Sequence, residues 1–162
     1  VAQHSCLIFD SMVENGESDN VCKMGLLHEA DEVPIGDITS PVKRAIPGIA
    51  GIAKTIRNTT YKYYGCQLIQ EDLAKVCAYD RAIMCDEAYD LIDMECGSWA
   101  PIEDGLKRPN GRRRKKIRPC SYKRSETEFL TRAWLCGMID EKPKVPMLVK
   151  LGRMADSVRD LF

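Results

Sequence analysis

The chain has 162 residues, of which 44% are apolar and 30% charged, and its formal net charge is zero. This length suits a single domain over residues 1–162, and the apolar content excludes an intrinsically disordered chain. No apolar run reaches the eighteen or so residues that span a bilayer, so we do not expect membrane insertion. Because the chain begins at Val1 without a basic and then apolar leader, we expect a mature, processed chain.

Two short helices are predicted at the start of the chain. The first covers His4–Glu14 and is ended by Asn15-Gly16, and the second covers Asn20–Ala30 with Asp19 or Asn20 as its cap. Residues 33–53 hold three prolines and three glycines among apolar residues. They predict a mostly irregular connection packed against the core, in which Ser40-Pro41 starts one helical turn.

The lack of turn-forming residues within 67–96 predicts one long secondary-structure element. Glycine, proline, serine and asparagine are absent between Gln67 and Cys96. We therefore expect a mainly α-helical bundle built around a long central helix at about 67–96. Asp80 and Glu87 fall near a border of the apolar arc of this helix. The arc itself contains Leu73, Val76, Met84, Ala88, Leu91, Ile92 and Met94.

Two more helices are predicted towards the end of the chain. Ser125-Glu126-Thr127-Glu128 is a capping-box pattern that starts a helix of about three turns, ended by Gly137. Residues 147–162 predict a C-terminal amphipathic helix. A brief β-pairing of residues 59–64 is the only candidate for a strand.

The eight cysteines predict disulfides. An even number at this density favours an oxidising compartment, so we expect a secreted, extracellular protein. The triplet Asn58-Thr59-Thr60 is an N-glycosylation acceptor, which agrees with secretion. The predicted disulfide residues are Cys6, Cys22, Cys66, Cys77, Cys85, Cys96, Cys120 and Cys136.

Two connectivities remain open for the four cysteines of residues 66–96. In a straight helix they are too far apart to pair, so each would staple a flanking segment that carries one of the other four. Alternatively, a bend near Tyr79–Ile83 would pair Cys66 with Cys96 and Cys77 with Cys85. That spacing resembles the twin Cys-x(n)-Cys helical hairpins of the mitochondrial intermembrane space. No Cys-x-x-Cys and no clustered cysteine and histidine occurs, so neither a metal nor another cofactor is expected.

No catalytic constellation is evident. The two histidines, His4 and His28, stand apart from any serine or cysteine in a nucleophile pattern and are expected to be surface or partly packed side chains. Tyr64-Gly65-Cys66 resembles three residues near the calcium loop of secreted phospholipase A2. Where that family has a His-Asp pair, this chain has Tyr79-Asp80, so the resemblance implies at most a degenerate relative.

The charge is strongly segregated along the chain. Residues 1–42 carry eight acidic side chains and one basic one, whereas residues 107–124 carry ten basic side chains and no acidic one. We interpret residues 105–124 as an exposed basic loop that binds polyanions such as sulfated glycans, is processed by proteases, or only balances the acidic body. The residues of this site are Lys107, Arg108, Arg112, Arg113, Arg114, Lys115, Lys116 and Arg118.

These features together favour a secreted, non-enzymatic, hormone-like or cytokine-like ligand. Its expected partner is a protein receptor or another extracellular protein, with sulfated glycans as a second partner and no nucleic acid. The alternative is a membrane- or lipid-directed toxin or a degenerate phospholipase-like protein, based on the apolar residues 45–53 and the terminal helix.

Overall fold

The computed structural model describes residues 1–92 and 116–144, apart from the side chains of Ser40 and Tyr89. Over these residues the chain is mainly helical and has no strand, as the sequence predicts. The predicted helix at 147–162 and most of the basic loop lie outside the described residues. The helices are α1 (Ala2–Glu14), α2 (Asp19–Leu27), α3 (Glu32–Ile35), α4 (Ser40–Ala45), α5 (Ile49–Tyr63), α6 (Gln70–Ile92) and α7 (Tyr122–Leu135).

A tight turn joins α1 to α2. Gly16 has a φ of 70°, a conformation that glycine adopts without strain, and it follows directly on the end of α1. Ser18 is the N-cap of α2, because its side chain accepts a hydrogen bond from the Val21 amide. The predicted cap, Asp19 or Asn20, is therefore wrong. Asn20 instead bridges to the loop before α6, where its side chain bonds both the amide and the carbonyl of Gln67.

The prediction of a mostly irregular segment at 33–53 is wrong. Its prolines and glycines stand at helix boundaries: Pro41 lies in the first turn of α4, as expected for Ser40-Pro41, and Gly48 is the N-cap of α5. Helix α5 then runs through residues 59–64 almost to their end, so the brief β-pairing is also wrong.

Helix α6 is continuous from Gln70 to Ile92. It passes unbroken through Tyr79–Ile83, so the predicted bend of the hairpin alternative is wrong. The buried face of α6 contains Val76, Tyr79, Ile83 and Ala88, whereas Met84, Leu91 and Ile92 of the predicted apolar arc are exposed. The buried face is therefore rotated by about 70° from the predicted arc, at 100° per residue.

Helix α7 begins one turn earlier than the capping box predicts. Ser121 is the N-cap and accepts a hydrogen bond from the Arg124 amide. Ser125, the predicted cap, is buried inside the first turn, where its hydroxyl lies 3.0 Å from the Cys120 sulfur. The predicted end is confirmed, since Gly137 follows the helix with a φ of 67°.

The core lies between α1, α2, α6 and α7, and α5 packs against α2 at its edge. Ile8, Phe9 and Met12 of α1 meet Met24 and Leu26 of α2 in this core. Within the described ranges, no helix combines the length and the apolarity needed to cross a membrane.

Within residues 1–92 and 116–144, no cysteine pair forms a predicted staple. Cys77 is exposed on α6, and Cys66 precedes α6 instead of lying on it, so neither holds a flanking segment. No disulfide joins two of the described cysteines; Cys85 is disulfide-bonded, but to none of the free thiols. The free thiols are Cys6, Cys22, Cys66, Cys77, Cys120 and Cys136.

Candidate functional site

The two histidines of the chain lie together in the interior, although 24 residues separate them. Their ring centroids are 5.3 Å apart. Three carboxylates surround them, and we call this set the histidine cluster: His4 of α1, His28 and Glu29 after α2, and Asp80 and Glu87 of α6. His4 is partly packed, as the sequence predicts, whereas His28 is buried, so the expectation is wrong for His28.

His4 lies between two carboxylates. Its Nδ1 is 2.8 Å from Glu87 Oε2, and its Nε2 is 3.1 Å from Asp80 Oδ1. Ionised carboxylates only accept hydrogen bonds, so both ring nitrogens donate and the ring carries a positive charge. Burial alone would lower the pKa of His4, but the bonds to Asp80 and Glu87 outweigh it and raise the pKa to about 10.

His28 has the opposite protonation state. Its Nδ1 donates to the Gly25 carbonyl at 2.8 Å, which leaves Nε2 as the lone-pair nitrogen of a neutral ring. That Nε2 is buried without a hydrogen-bond partner and lies 3.8 Å from Asp80 Oδ1. Burial lowers the pKa of His28 to about 4, against the raising effect of Asp80.

The pKa values of two carboxylates in the cluster, Glu29 and Asp80, are also shifted in opposite directions. Burial raises the pKa of Glu29 to about 7, and nearby His4 opposes that rise. Burial acts in the same direction on Asp80, but the hydrogen bond from His4 outweighs it, so the pKa of Asp80 is lowered. Ligand atoms of His4, His28 and Glu29 all lie within 4.8 Å of one another, a spacing that suits a single cation.

Helix geometry explains why α6 supplies two carboxylates to one point. Asp80 and Glu87 are seven residues apart, close to two full turns, so both project from the same face of α6. Val76 and Ile83 occupy that face as well and are buried. The spacing of residues 76, 80, 83 and 87 on one helical face is the sequence signal for this site. A hydropathy pattern hides that signal, because it treats the two carboxylates as solvent-facing.

The basic loop is only partly within the described residues. Lys116 and Arg118 are exposed, while Ile117 between them is buried and its amide donates to Asp90 Oδ2 at 2.7 Å. The Arg118 carbonyl accepts a hydrogen bond from the Gln3 side chain. The other predicted basic residues, Lys107, Arg108, Arg112, Arg113, Arg114 and Lys115, lie outside the described part.

The remaining candidate residues lie away from the histidine cluster. Asn58, the predicted glycosylation acceptor, is half-buried on helix α5. Tyr79, which stands where secreted phospholipase A2 has its histidine, is buried, and its hydroxyl donates to Glu17 Oε1 at 3.2 Å. Asp80 next to it serves the two histidines instead.

Comparison with known proteins found no matching family model, no matching curated protein and no matching solved structure.

Proposed function

We propose that this chain is a secreted, non-enzymatic helical protein that acts as a hormone-like or cytokine-like ligand for a protein receptor. The observation that supports the proposal is a set of exposed apolar side chains on α4 and α5, which we call the α4–α5 surface. It consists of Val42, Ile46, Ile52 and Tyr63, and Tyr63 is 82% exposed.

Two exposed residues of the α4–α5 surface lie on the same face of α5. Ile52 and Tyr63 are eleven residues apart, so they lie along one line of α5, while Ala53 and Tyr61 of the same helix are buried. Single exposed apolar residues are ordinary, but several exposed apolar residues on neighbouring helices are typical of a surface that binds a protein. This favours α5 as a recognition helix.

The charge around this surface indicates the chemistry of the partner. Residues 38–70 contain five basic side chains and no acidic one. Arg44, Lys54 and Lys62 among them are exposed. A receptor with an apolar patch and an acidic rim would complement this surface. The basic residues 107–118 would add a second site, for sulfated glycans.

The histidine cluster supports the non-enzymatic part of the proposal. Both imidazoles are engaged internally, and their side chains are only 12% and 9% exposed. General acid or base catalysis needs a group within hydrogen-bond reach of the substrate. The cluster therefore fits a role in holding α1, α2 and α6 together.

Secretion would place the thiols in an oxidising environment, and their surroundings favour pairing Cys6 with Cys120 and Cys22 with Cys136. The Cys120 amide donates to Gln3, which lies one turn before Cys6. Burial is the main cause that raises the pKa of Cys6 to about 12, and the neighbouring Cys120 contributes to this rise. Burial and then Cys136 do the same for Cys22. Each pair would transfer two electrons and two protons to a disulfide oxidant.

A cell-binding experiment tests the proposed function. Fluorescently labelled protein is titrated onto a panel of cultured cells, and we expect saturable binding that protease treatment of the cells abolishes. The double variant Ile52→Ser with Tyr63→Ser should bind at least ~10-fold more weakly, as expected for apolar anchors. The matched control is Tyr122→Ser, because Tyr122 is 76% exposed on α7, away from this surface. Equal binding by the double variant would contradict the proposal.

The lipid-directed alternative has one observation in its favour. Exposed apolar residues beside exposed lysines and arginines are also typical of helices that lie in an anionic membrane interface. Vesicles of phosphatidylserine and phosphatidylcholine distinguish the two. Leakage of these vesicles together with calcium-dependent ester hydrolysis supports the toxin or degenerate lipase, and intact vesicles with protease-sensitive cell binding support the receptor ligand.

A further inference from the structure

We propose that the histidine cluster binds a divalent transition-metal ion of the zinc class. The ligands are Nε2 of His4, Nε2 of His28 and the carboxylates of Asp80 and Glu29. Glu87 orients the ring of His4 from behind. The site joins α1, α2 and α6, and it is independent of the α4–α5 surface.

Two distances in the cluster are close to those of tetrahedral coordination, and the ligand atoms of His4, His28 and Glu29 lie within 4.8 Å of one another. Zinc with nitrogen and oxygen ligands at about 2.0–2.1 Å places neighbouring ligand atoms about 3.3 Å apart. Nε2 of His4 is 3.1 Å from Asp80 Oδ1, and Nε2 of His28 is 3.8 Å from the same oxygen. These two distances bracket the ideal value. Small side-chain shifts would therefore bring both nitrogens and the oxygen onto one ion.

The outer contacts of both rings match those of metal-binding histidines. A ligating histidine nearly always donates its second ring N–H to a carboxylate or a backbone carbonyl. Nδ1 of His4 makes this bond to Glu87, and Nδ1 of His28 makes it to Gly25, each at 2.8 Å. Both rings are thereby held with Nε2 directed towards Asp80.

The Nε2 nitrogen of His28 supports the metal site independently of these distances, because it has no partner. His28 is only 7% exposed, and its Nε2 has no hydrogen-bond partner. A buried polar atom left without a partner destabilises a fold. A metal ion at this point would accept the lone pair and remove that penalty.

The nitrogen and oxygen atoms of the site indicate which class of metal ion it binds. Calcium and magnesium prefer oxygen ligands, whereas imidazole nitrogen suits zinc, cobalt, nickel and copper. Two imidazoles with two carboxylates match the first-row divalent ions, and two negative charges balance the charge of the ion. On binding, the ion replaces the proton on Nε2 of His4, and that proton leaves to the solvent.

Cobalt(II) titration of the purified full chain tests the proposal. We expect one cobalt per chain, visible absorption of the intensity that tetrahedral cobalt gives, and displacement of the cobalt by an equal amount of zinc. Thiolate ligands would add a near-ultraviolet charge-transfer band. A site formed by the free cysteines would show that band, and this outcome would overturn the proposal.

Variants locate the site. His28→Ala should weaken zinc binding at least ~100-fold in competition with a chromophoric chelator, and Glu87→Gln should weaken it about 10- to 100-fold through the orientation of His4. Asp37→Asn changes an exposed carboxylate outside the cluster and should leave the Kd unchanged. Because Glu87→Gln preserves volume, it remains informative if His28→Ala does not fold. Unchanged zinc affinity in Glu87→Gln, or equal losses in Asp37→Asn, would refute the assignment.

Discussion

Two identical side chains of this protein are held in opposite protonation states. His4 donates to two carboxylates and is a cation, whereas His28 donates to a carbonyl and is neutral. Two imidazolium rings with centroids 5.3 Å apart would repel each other. The split between a pKa of about 10 and a pKa of about 4 avoids that repulsion at neutral pH.

The raised pKa of His4 predicts a pH dependence of stability in the metal-free protein. The folded pKa of about 10 exceeds the usual 6.5, so the folded state retains a proton that the unfolded state loses. This stabilisation is complete below pH 6.5 and is lost as the pH rises from 6.5 to 10. The charged or titratable groups facing His4 are Asp80, Glu87, Glu29 and His28.

Urea unfolding with a chelator present measures this effect. Between pH 6.5 and 10 the free energy of unfolding of the wild type should fall, and in His4→Gln the fall should be clearly smaller. The free thiols and the chain terminus are common to both proteins, so the difference reports His4. Parallel curves for the two proteins would show that His4 is not held as a cation.

The sequence could not show that these residues meet. His4 and Asp80 are 76 residues apart, and no local pattern connects them. Only the packing of α1 against α6 brings them into contact. The helical angles of Asp80 and Glu87 place both residues near a border of the predicted apolar arc. In the structure both side chains are only partly buried, and they turn towards His4 of α1.

At the scale of elements, helices were easier to predict than their boundaries. The helical periodicity of residues 70–92 and the end of α7 at Gly137 were predicted from the sequence. The sequence predicts the helical turn that begins at Ser40-Pro41 but not helix α5, because prolines and glycines such as those of residues 33–53 usually break helices. In the structure, Pro41 and Gly48 start helices instead.

The contact between α1 and α2 depends on Gly25. A Cβ at this position would overlap the side chain of Met12 and lie 3.1 Å from Ile8 Cγ2, and both residues are completely buried. Gly25→Ala should therefore destabilise the protein by about 1–3 kcal/mol, the usual effect of overpacking a core. Urea unfolding measures the change.

Gly51→Ala is the matched control for Gly25→Ala. Gly51 lies inside α5, and a Cβ there would meet no atom within 4 Å. The alanine should stabilise the helix by about 0.5–1 kcal/mol, because glycine is a poor helix former. Destabilisation of similar size in both variants would show that the close approach of α1 and α2 is not the cause.

A buried ion pair attaches α7 to α1. The Arg132 guanidinium donates to both oxygens of Asp10, at 2.7 and 2.5 Å, and the two side chains are only 11% and 16% exposed. Removing one partner leaves the other charge buried, so Asp10→Asn should destabilise the protein by about 3–5 kcal/mol. Thermal and urea unfolding test this prediction.

The exposed pair of α7 provides the comparison. Arg124 donates to Glu128 four residues later, and its side chain is 58% exposed. Arg124→Met should change the stability by less than ~1 kcal/mol, since solvent screens such pairs. If Asp10→Asn had as small an effect as Arg124→Met, α7 would not be anchored through Arg132.

For the whole molecule, the sequence predicted the mainly helical fold but not what holds it together. Eight cysteines predicted a framework of disulfides around a helix. The described part of the structure instead joins its helices through an apolar core, the Arg132–Asp10 pair and the histidine cluster, with six free thiols nearby. The number of cysteines in a chain bears on the redox environment of its compartment, but it does not show which side chains pack together.

Ring-nitrogen NMR tests whether His4 and His28 meet between α1, α2 and α6. The chain has only two histidines, so ¹⁵N labelling yields two ring systems that His4→Gln assigns. At pH 7 in metal-free buffer, we expect one ring protonated on both nitrogens and one neutral ring protonated only on Nδ1. Two rings that titrate together near pH 6.5, each with mixed tautomers, would mean that both histidines face solvent and would contradict the account.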